Sequence, residues 1–228
     1  MENKHIVISV GGSLIVPKEV DTEFLKDFRS LILECIEKGY TFTLFTGGGG
    51  VCRTYNTAVD ALVPGIERSA KDWLGISITK VNAQLLKTIF GDLCEETIIS
   101  DPHTNIERTK PILIGSGWKP GWSTDYDAVI FATERGVHRV INISNISHVY
   151  TSDPRTNPDA QKLETVTWSE YRKLIPETWE AGLHSPFDPI ASKKAEESKL
   201  EVLMLDGRNI EALKNAIGGN SFEGTKIY

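Results

Sequence analysis

Two glycine turns carry the chemistry open to this chain. The run Gly47-Gly48-Gly49-Gly50 follows the apolar stretch 40–45 and precedes an amphipathic segment, and Gly11-Gly12-Ser13 follows the strand-like residues 5–10. Residues without a Cβ let the main chain approach a bulky anion, and a helix starting there adds unpaired N–H groups and the positive end of its dipole. Each turn therefore reads as a phosphate cradle, and the pair as two phosphates. Taken singly, either turn equally suits the plain end of a buried strand. Arg53, one turn into the segment after the second run, has a guanidinium fork suited to two phosphate oxygens, although its type is also ordinary on a solvated surface.

Such turns need strands to aim them. From Asp21 onward Phe24, Leu25, Phe28, Leu31, Ile32, Cys35 and Ile36 fall at helical spacing, and Gly39 ends that helix. The pattern then predicts strands over 40–46, 97–100, 111–115, 138–143 and 200–206. Helices are predicted near 51–62, 70–90, 125–135, 167–174, 188–198 and 209–217. Strands as continuously apolar as Val140-Ile141-Asn142-Ile143 and Val202-Leu203-Met204-Leu205 suit a mostly parallel sheet covered on both faces. In such sheets ligands bind beyond the carboxyl ends of strands, where both glycine turns fall. No G-x-x-x-x-G-K-[ST] occurs, and Cys52 interrupts G-x-G-x-x-G, which argues against the two commonest nucleotide motifs.

The 228 residues show no linker-like composition, so one domain spanning 1–228 is expected. A net charge of −6 without a basic stripe argues against nucleic acid as a partner. Three widely spaced cysteines fit reduced thiols rather than a disulfide frame or a zinc site, and no resident metal site is read. The N-terminal residues lead straight into a strand pattern, and nothing approaches the roughly 20 apolar residues of a membrane span. A cytoplasmic protein without a membrane partner is expected.

The order of the motifs adds a resemblance. Val10-Gly11-Gly12-Ser13-Leu14, then Gly47-Gly48-Gly49-Gly50-Val51-Cys52-Arg53, the segment 72–83 beginning Asp72-Trp73-Leu74-Gly75, and Pro120-Gly121-Trp122-Ser123-Thr124-Asp125 resemble the amino-acid kinase family in sequence and spacing. Within it they look most like the archaeal type of UMP kinase. The segment 142–154, Asp188-Pro189-Ile190-Ala191-Ser192-Lys193 and Gly224-Thr225-Lys226-Ile227 continue the match over nearly the whole chain. The resemblance implies a three-layer α/β/α sandwich with the acceptor over the N-terminal part and ATP over the part from about residue 140. It implies UMP and ATP as substrates, Mg²⁺ accompanying ATP, and a homo-oligomer, usually a hexamer.

The same resemblance distributes roles. Gly11, Gly12 and Ser13 would hold the donor's terminal phosphates, and Gly48, Gly49 and Arg53 the acceptor phosphate. Asp72 would bind the acceptor ribose, with Ser116 and Thr124 facing uracil. Asn145, Tyr150 and Asp153 would contact ATP, Asp125 would orient cationic groups, and Asp188 would lie near the transferred phosphate. Plainer readings stand beside these: Thr124 and Asp125 suit a helix N-cap pair, Asp188-Pro189 is an ordinary helix opening, and Tyr150 suits the core. Trp118 and Trp122 would stack on a ring or cover a subunit contact.

Two departures matter. Ser9 stands where many family members carry lysine, leaving Lys193, Lys80 or Lys110 as replacement cations. Ser147-His148 stands where the family has Asp-Gly, which predicts a different turn or modest strain of about 1–2 kcal/mol. These departures keep open a nucleotide-binding storage or regulatory protein of the same fold, like the molybdenum storage proteins, or a family enzyme with another small acceptor.

Overall fold

The computed structural model describes residues 4–176 and 185–228, so the first three residues of the N-terminal stretch lie outside them. The chain opens with β1 (His5–Val10), α1 (Gly12–Ile15), α2 (Thr22–Glu37), β2 (Thr41–Thr46), α3 (Gly49–Leu62), α4 (Arg68–Phe90) and β3 (Ile112–Gly115). It continues with α5 (Thr124–Glu134), β4 (Arg139–Ser144), β5 (Val149–Tyr150), β6 (Lys162–Leu163), β7 (Thr165–Val166) and α6 (Trp168–Leu174). Last come α7 (Pro189–Glu197), β8 (Glu201–Asp206), α8 (Ile210–Ile217) and β9 (Thr225–Ile227).

Seven strands form one sheet in the order β3-β2-β1-β4-β8-β9-β7, parallel except where β9 runs against β8. Alternation along each central strand divides the core. Ile8, Leu44, Ile141 and Leu203 pack on one face with α2, α4 and α8. Val7, Phe45, Val140 and Val202 pack on the other face with α5, α6 and α7. The α/β/α sandwich with a mostly parallel sheet is therefore present. Asp21 caps α2 by accepting the Phe24 amide at 3.0 Å, which fixes the helix entry directly after the first turn's excursion.

Three expectations change. Residues 97–100 do not form a strand: Cys94 and Ile99 make only isolated bridges to Ile112 and Gly115. The Ile99 amide donates to Ile114 O at 3.0 Å and the Ser116 amide to Ile99 O at 2.8 Å, so only this short contact joins the segment to β3. The N-cap of α5 is Ser123, whose hydroxyl accepts from the Tyr126 amide at 3.2 Å, so Thr124 and Asp125 are first-turn residues. Among the described non-glycine residues only Lys199 has positive φ, so His148 sits in unstrained backbone.

Candidate active site

Strand order reverses at β1: β2 and β3 extend to one side of it, while β4 and β8 lie on the other. Parallel exits on both sides of such a switch leave a crevice between their diverging connections. Both glycine turns open at this edge and touch each other. The Gly47 amide donates to Val10 O at 2.9 Å, and the Gly50 amide to Val16 O at 2.7 Å. A Cβ on Gly12 would collide with the Gly49 nitrogen, and one on Gly50 with the Pro17 carbonyl. Glycine is thus required here for main chain to lie against main chain. The amides of Gly12, Ser13, Gly48 and Gly49 have no main-chain acceptor among the described residues, which leaves donors for an anion.

A cleft of about 810 Å³ runs along this edge, lined by Gly11, Gly12, Ser13, Gly47, Arg53, Thr124, Asp125, Asn145, Tyr150 and Asp153 among others. Arg53 is exposed within it, and no carboxylate among the described residues forms an ion pair with it. Gly48 and Gly49, expected at the acceptor phosphate, cap and open α3 and are not among the residues lining the cleft. Asn82, from α4, donates to the carbonyl of Gly47 at 2.7 Å and so holds the run in place.

Asp125 is built from three elements. Ser9 on β1 and Asn142 on β4 are partners in register, and alternation sends both side chains toward the first turn of α5. The Ser9 hydroxyl donates to Asp125 Oδ1 at 2.7 Å, and the Asn142 amide donates to the same oxygen at 2.8 Å. Burial pushes the Asp125 carboxyl up to about 6; the Ser9 bond opposes this, and the negative charge of Asp188 adds to it. Asp188 caps α7, accepting the Ala191 amide at 2.7 Å, while its Oδ2 is buried without a partner. Its carboxyl is also raised, chiefly by burial. The helix-opening reading of Asp188 and its placement beside Asp125 therefore coexist.

Asp72 is buried and accepts the Gly121 amide at 2.9 Å through Oδ2, with Oδ1 left unpaired. It ties α4 to the loop before α5. Ser116 does not reach the cleft: it is fully buried, 3.0 Å from the Ser100 hydroxyl. Trp118 and Trp122 do not line the cleft but carry Lys119 over their rings, with Nζ 3.7 Å from the Trp118 centroid. At the other end, Asp153 pairs with Arg155 at 2.8 Å.

None of the three replacement lysines lines the cleft. Lys110 pairs with Glu96 at 3.3 Å, and Lys80 and Lys193 are exposed on α4 and α7. Ser9 instead donates its hydroxyl to Asp125. Ser9, Asn142 and Asn82 lie in or beside the matched segments, but their support of Asp125 and Gly47 is not read from those segments; its one signal is a polar residue inside an apolar strand or helix stripe.

Comparison with known proteins bears on the chain as a whole. Residues 4–206 match the family described as the amino acid kinase family. A uridylate kinase from Methanosarcina mazei is 33% identical, with 95% of this chain and 92% of that protein covered. One from Pyrococcus abyssi is 30% identical, over 98% and 99%. The crystal structure of uridylate kinase from Archaeoglobus fulgidus superposes with a TM-score of 0.79 at 25% identity, covering 98% of this chain and 99% of that one. Aspartate kinase from Synechocystis shares the fold, with a TM-score of 0.74 at 16% identity. The chain belongs to the amino acid kinase family.

Proposed function

We propose that this chain is a UMP kinase, moving the γ-phosphoryl group of ATP to UMP to give UDP and ADP. The observation that carries the reading is the contact between two amide-lined glycine turns in one cleft, with Arg53 and Asp125 on its walls. The near full-length match to archaeal uridylate kinases supports the acceptor.

In this reading the Gly12 and Ser13 amides hold the donor's terminal phosphates, and Arg53 holds the UMP phosphate at the start of α3. An oxygen of UMP forms a bond to Pγ as the bridging bond to Pβ breaks, and the electron pair leaves with ADP. The protein's task is alignment and charge neutralisation. Asp72, with one buried oxygen unpaired, suits a ribose hydroxyl donor. Thr124 is the polar side chain presented to the acceptor base, and Asn145, Tyr150 and Asp153 form the nucleoside end of the donor site.

Mg²⁺ favours one or two carboxylates plus phosphate oxygens over an all-protein cage. Asp125 and Asp188 fit that demand, the second with an unpaired buried oxygen, while no group of three or more ligating side chains occurs among the described residues. When bound with ATP, the ion supplies positive charge to the phosphates. Asp125 and Asp188 would hold it, and Ser9 and Asn142 fix the orientation of Asp125.

A single unit carrying both nucleotides on one sheet, with the donor half beginning near residue 140, accords with this scheme. We further infer a homo-oligomer, a hexamer by resemblance, because Tyr55, Leu62, Trp73 and Val81 of the packed helices α3 and α4 are exposed. Three free cysteines accord with a reducing cytoplasm, and no helix among the described residues is long and apolar enough to cross a membrane. The test is ADP release from Mg-ATP with UMP, CMP, AMP or an amino acid as acceptor. Turnover fastest with UMP is expected; equal rates with all acceptors would remove the assignment.

A further inference from the structure

The chain enters α7 through Pro186-Phe187-Asp188-Pro189, where the two prolines leave only Phe187 and Asp188 with main-chain N–H groups. Residue 187 belongs to no strand or helix. Both of its peptide groups end instead on one side chain: the Phe187 amide donates to the Tyr171 hydroxyl at 2.7 Å, and that hydroxyl donates to the Phe187 carbonyl at 3.0 Å. Ser185 adds a second hydroxyl to the same carbonyl at 2.6 Å. Tyr171, on α6, is fully buried, and its ring stands edge-on to that of Trp168, which also lies against Phe187. The Trp168 indole N–H is fixed in turn on the Leu200 carbonyl at 2.9 Å.

We propose that Tyr171 is a positioning residue for the reaction, fixing through the main chain of Phe187 the carboxyl of Asp188 beside Asp125. An apolar side chain would serve to pack α6, whereas a phenol taken wholly out of water is tolerated only with its hydroxyl bonded. Here both of its bonds fall one residue before the carboxylate. The Ala191 amide, at 2.7 Å from Asp188 Oδ1, fixes that side chain relative to α7 alone. Tyr171 fixes the approaching chain relative to α6, so the buried, unpaired Oδ2 is held from two directions. A reacting group displaced by about 1 Å loses rate far more than affinity. The inference rests on the kinase reading for the role of Asp188 and is independent of the acceptor.

The test is a cycle of variants of the full chain. Tyr171→Phe keeps the ring and removes both bonds; it is expected to lower kcat about 10-fold while KM for UMP and for ATP stay within about twofold. Ser185→Ala leaves the phenol in place and is expected to lower kcat about threefold, and it alone decides if circular dichroism shows Tyr171→Phe unfolded. In an Asp188→Asn background either change is expected to cost less than about twofold, because the group being positioned is already lost. A second readout needs no turnover: titration of Mn²⁺ into the chain with a non-hydrolysable ATP analogue, followed by electron paramagnetic resonance. Tyr171→Phe is expected to weaken Mn²⁺ about fivefold, and Ser185→Ala about twofold, with Asp188 present and by neither factor in its absence. Equal losses in both backgrounds, or unchanged kcat and Mn²⁺ affinity in the folded variants, would overturn the proposal. Tyr171-dependent Mn²⁺ binding in a chain that does not phosphorylate UMP would instead overturn the acceptor assignment alone.

Discussion

Arg53 is exposed in the cleft and enters no ion pair among the described residues, so its fork is available to a phosphate. Removing it should act on the acceptor rather than the donor. Arg53→Ala is expected to raise KM for UMP about 100-fold and abolish the thermal shift given by UMP alone, with ATP binding unchanged. In the proposed reaction Asp125 acts at the chemical step. Asp125→Asn should lower kcat about 100-fold with a small change in either KM, as measured by steady-state kinetics. Asp127 offers a separate test at this scale. It is fully buried, donates nothing to the cleft lining, and accepts the Trp118 amide at 3.2 Å. Burial pushes its carboxyl up to about 8. The folded state therefore holds a proton that the unfolded chain releases near pH 4, and stability falls as pH rises from about 4 to about 8. Asp127→Asn removes that loss: its stability, read by denaturation, should gain on wild type across this range, by about 5 kcal/mol at pH 8. A gap constant with pH would contradict the burial argument.

Among the elements, the glycine turns separate two kinds of glycine. Gly39 has φ of 85° with nothing near its missing Cβ, whereas Gly50 would drive a Cβ into the Pro17 carbonyl. Gly39→Ala should cost about 1 kcal/mol of left-handed strain, and Gly50→Ala at least about 3 kcal/mol through displaced backbone, both read by urea denaturation. The sequence made this region legible because its elements are long and regular: the apolar stripe of α2 and the buried strands β1, β2, β4 and β8 each declare a period or a run. It hid elements too short to have a period, namely β5, β6 and β7, and β9, whose antiparallel pairing depends on β8 rather than on its own residues. Residues 97–100 looked like a strand by composition, yet they join the sheet only through the isolated bridge of Ile99 to Gly115. At the site, glycines and Arg53 announce themselves through spacing. The supports of Asp125 do not, because Ser9 and Asn142 meet only through strand register.

On the scale of the whole molecule, one sheet edge gathers the cleft while the helix pair α3 and α4 leaves Leu62 80% exposed and Trp73 53% exposed. Large apolar groups displayed this way are characteristic of surfaces covered by another subunit. Leu62→Asp combined with Trp73→Asp should lower the molar mass seen by light scattering, and an unchanged mass would assign the subunit contact to another face. The mutual seating of the two turns has a broader consequence. In the proposed reaction peptide groups rather than side chains dictate how far apart the two reactants stand, so the rim can be rewritten while the reaction distance is conserved. A scaffold of this kind is suited to divergence: new acceptors require new walls, not a new ruler.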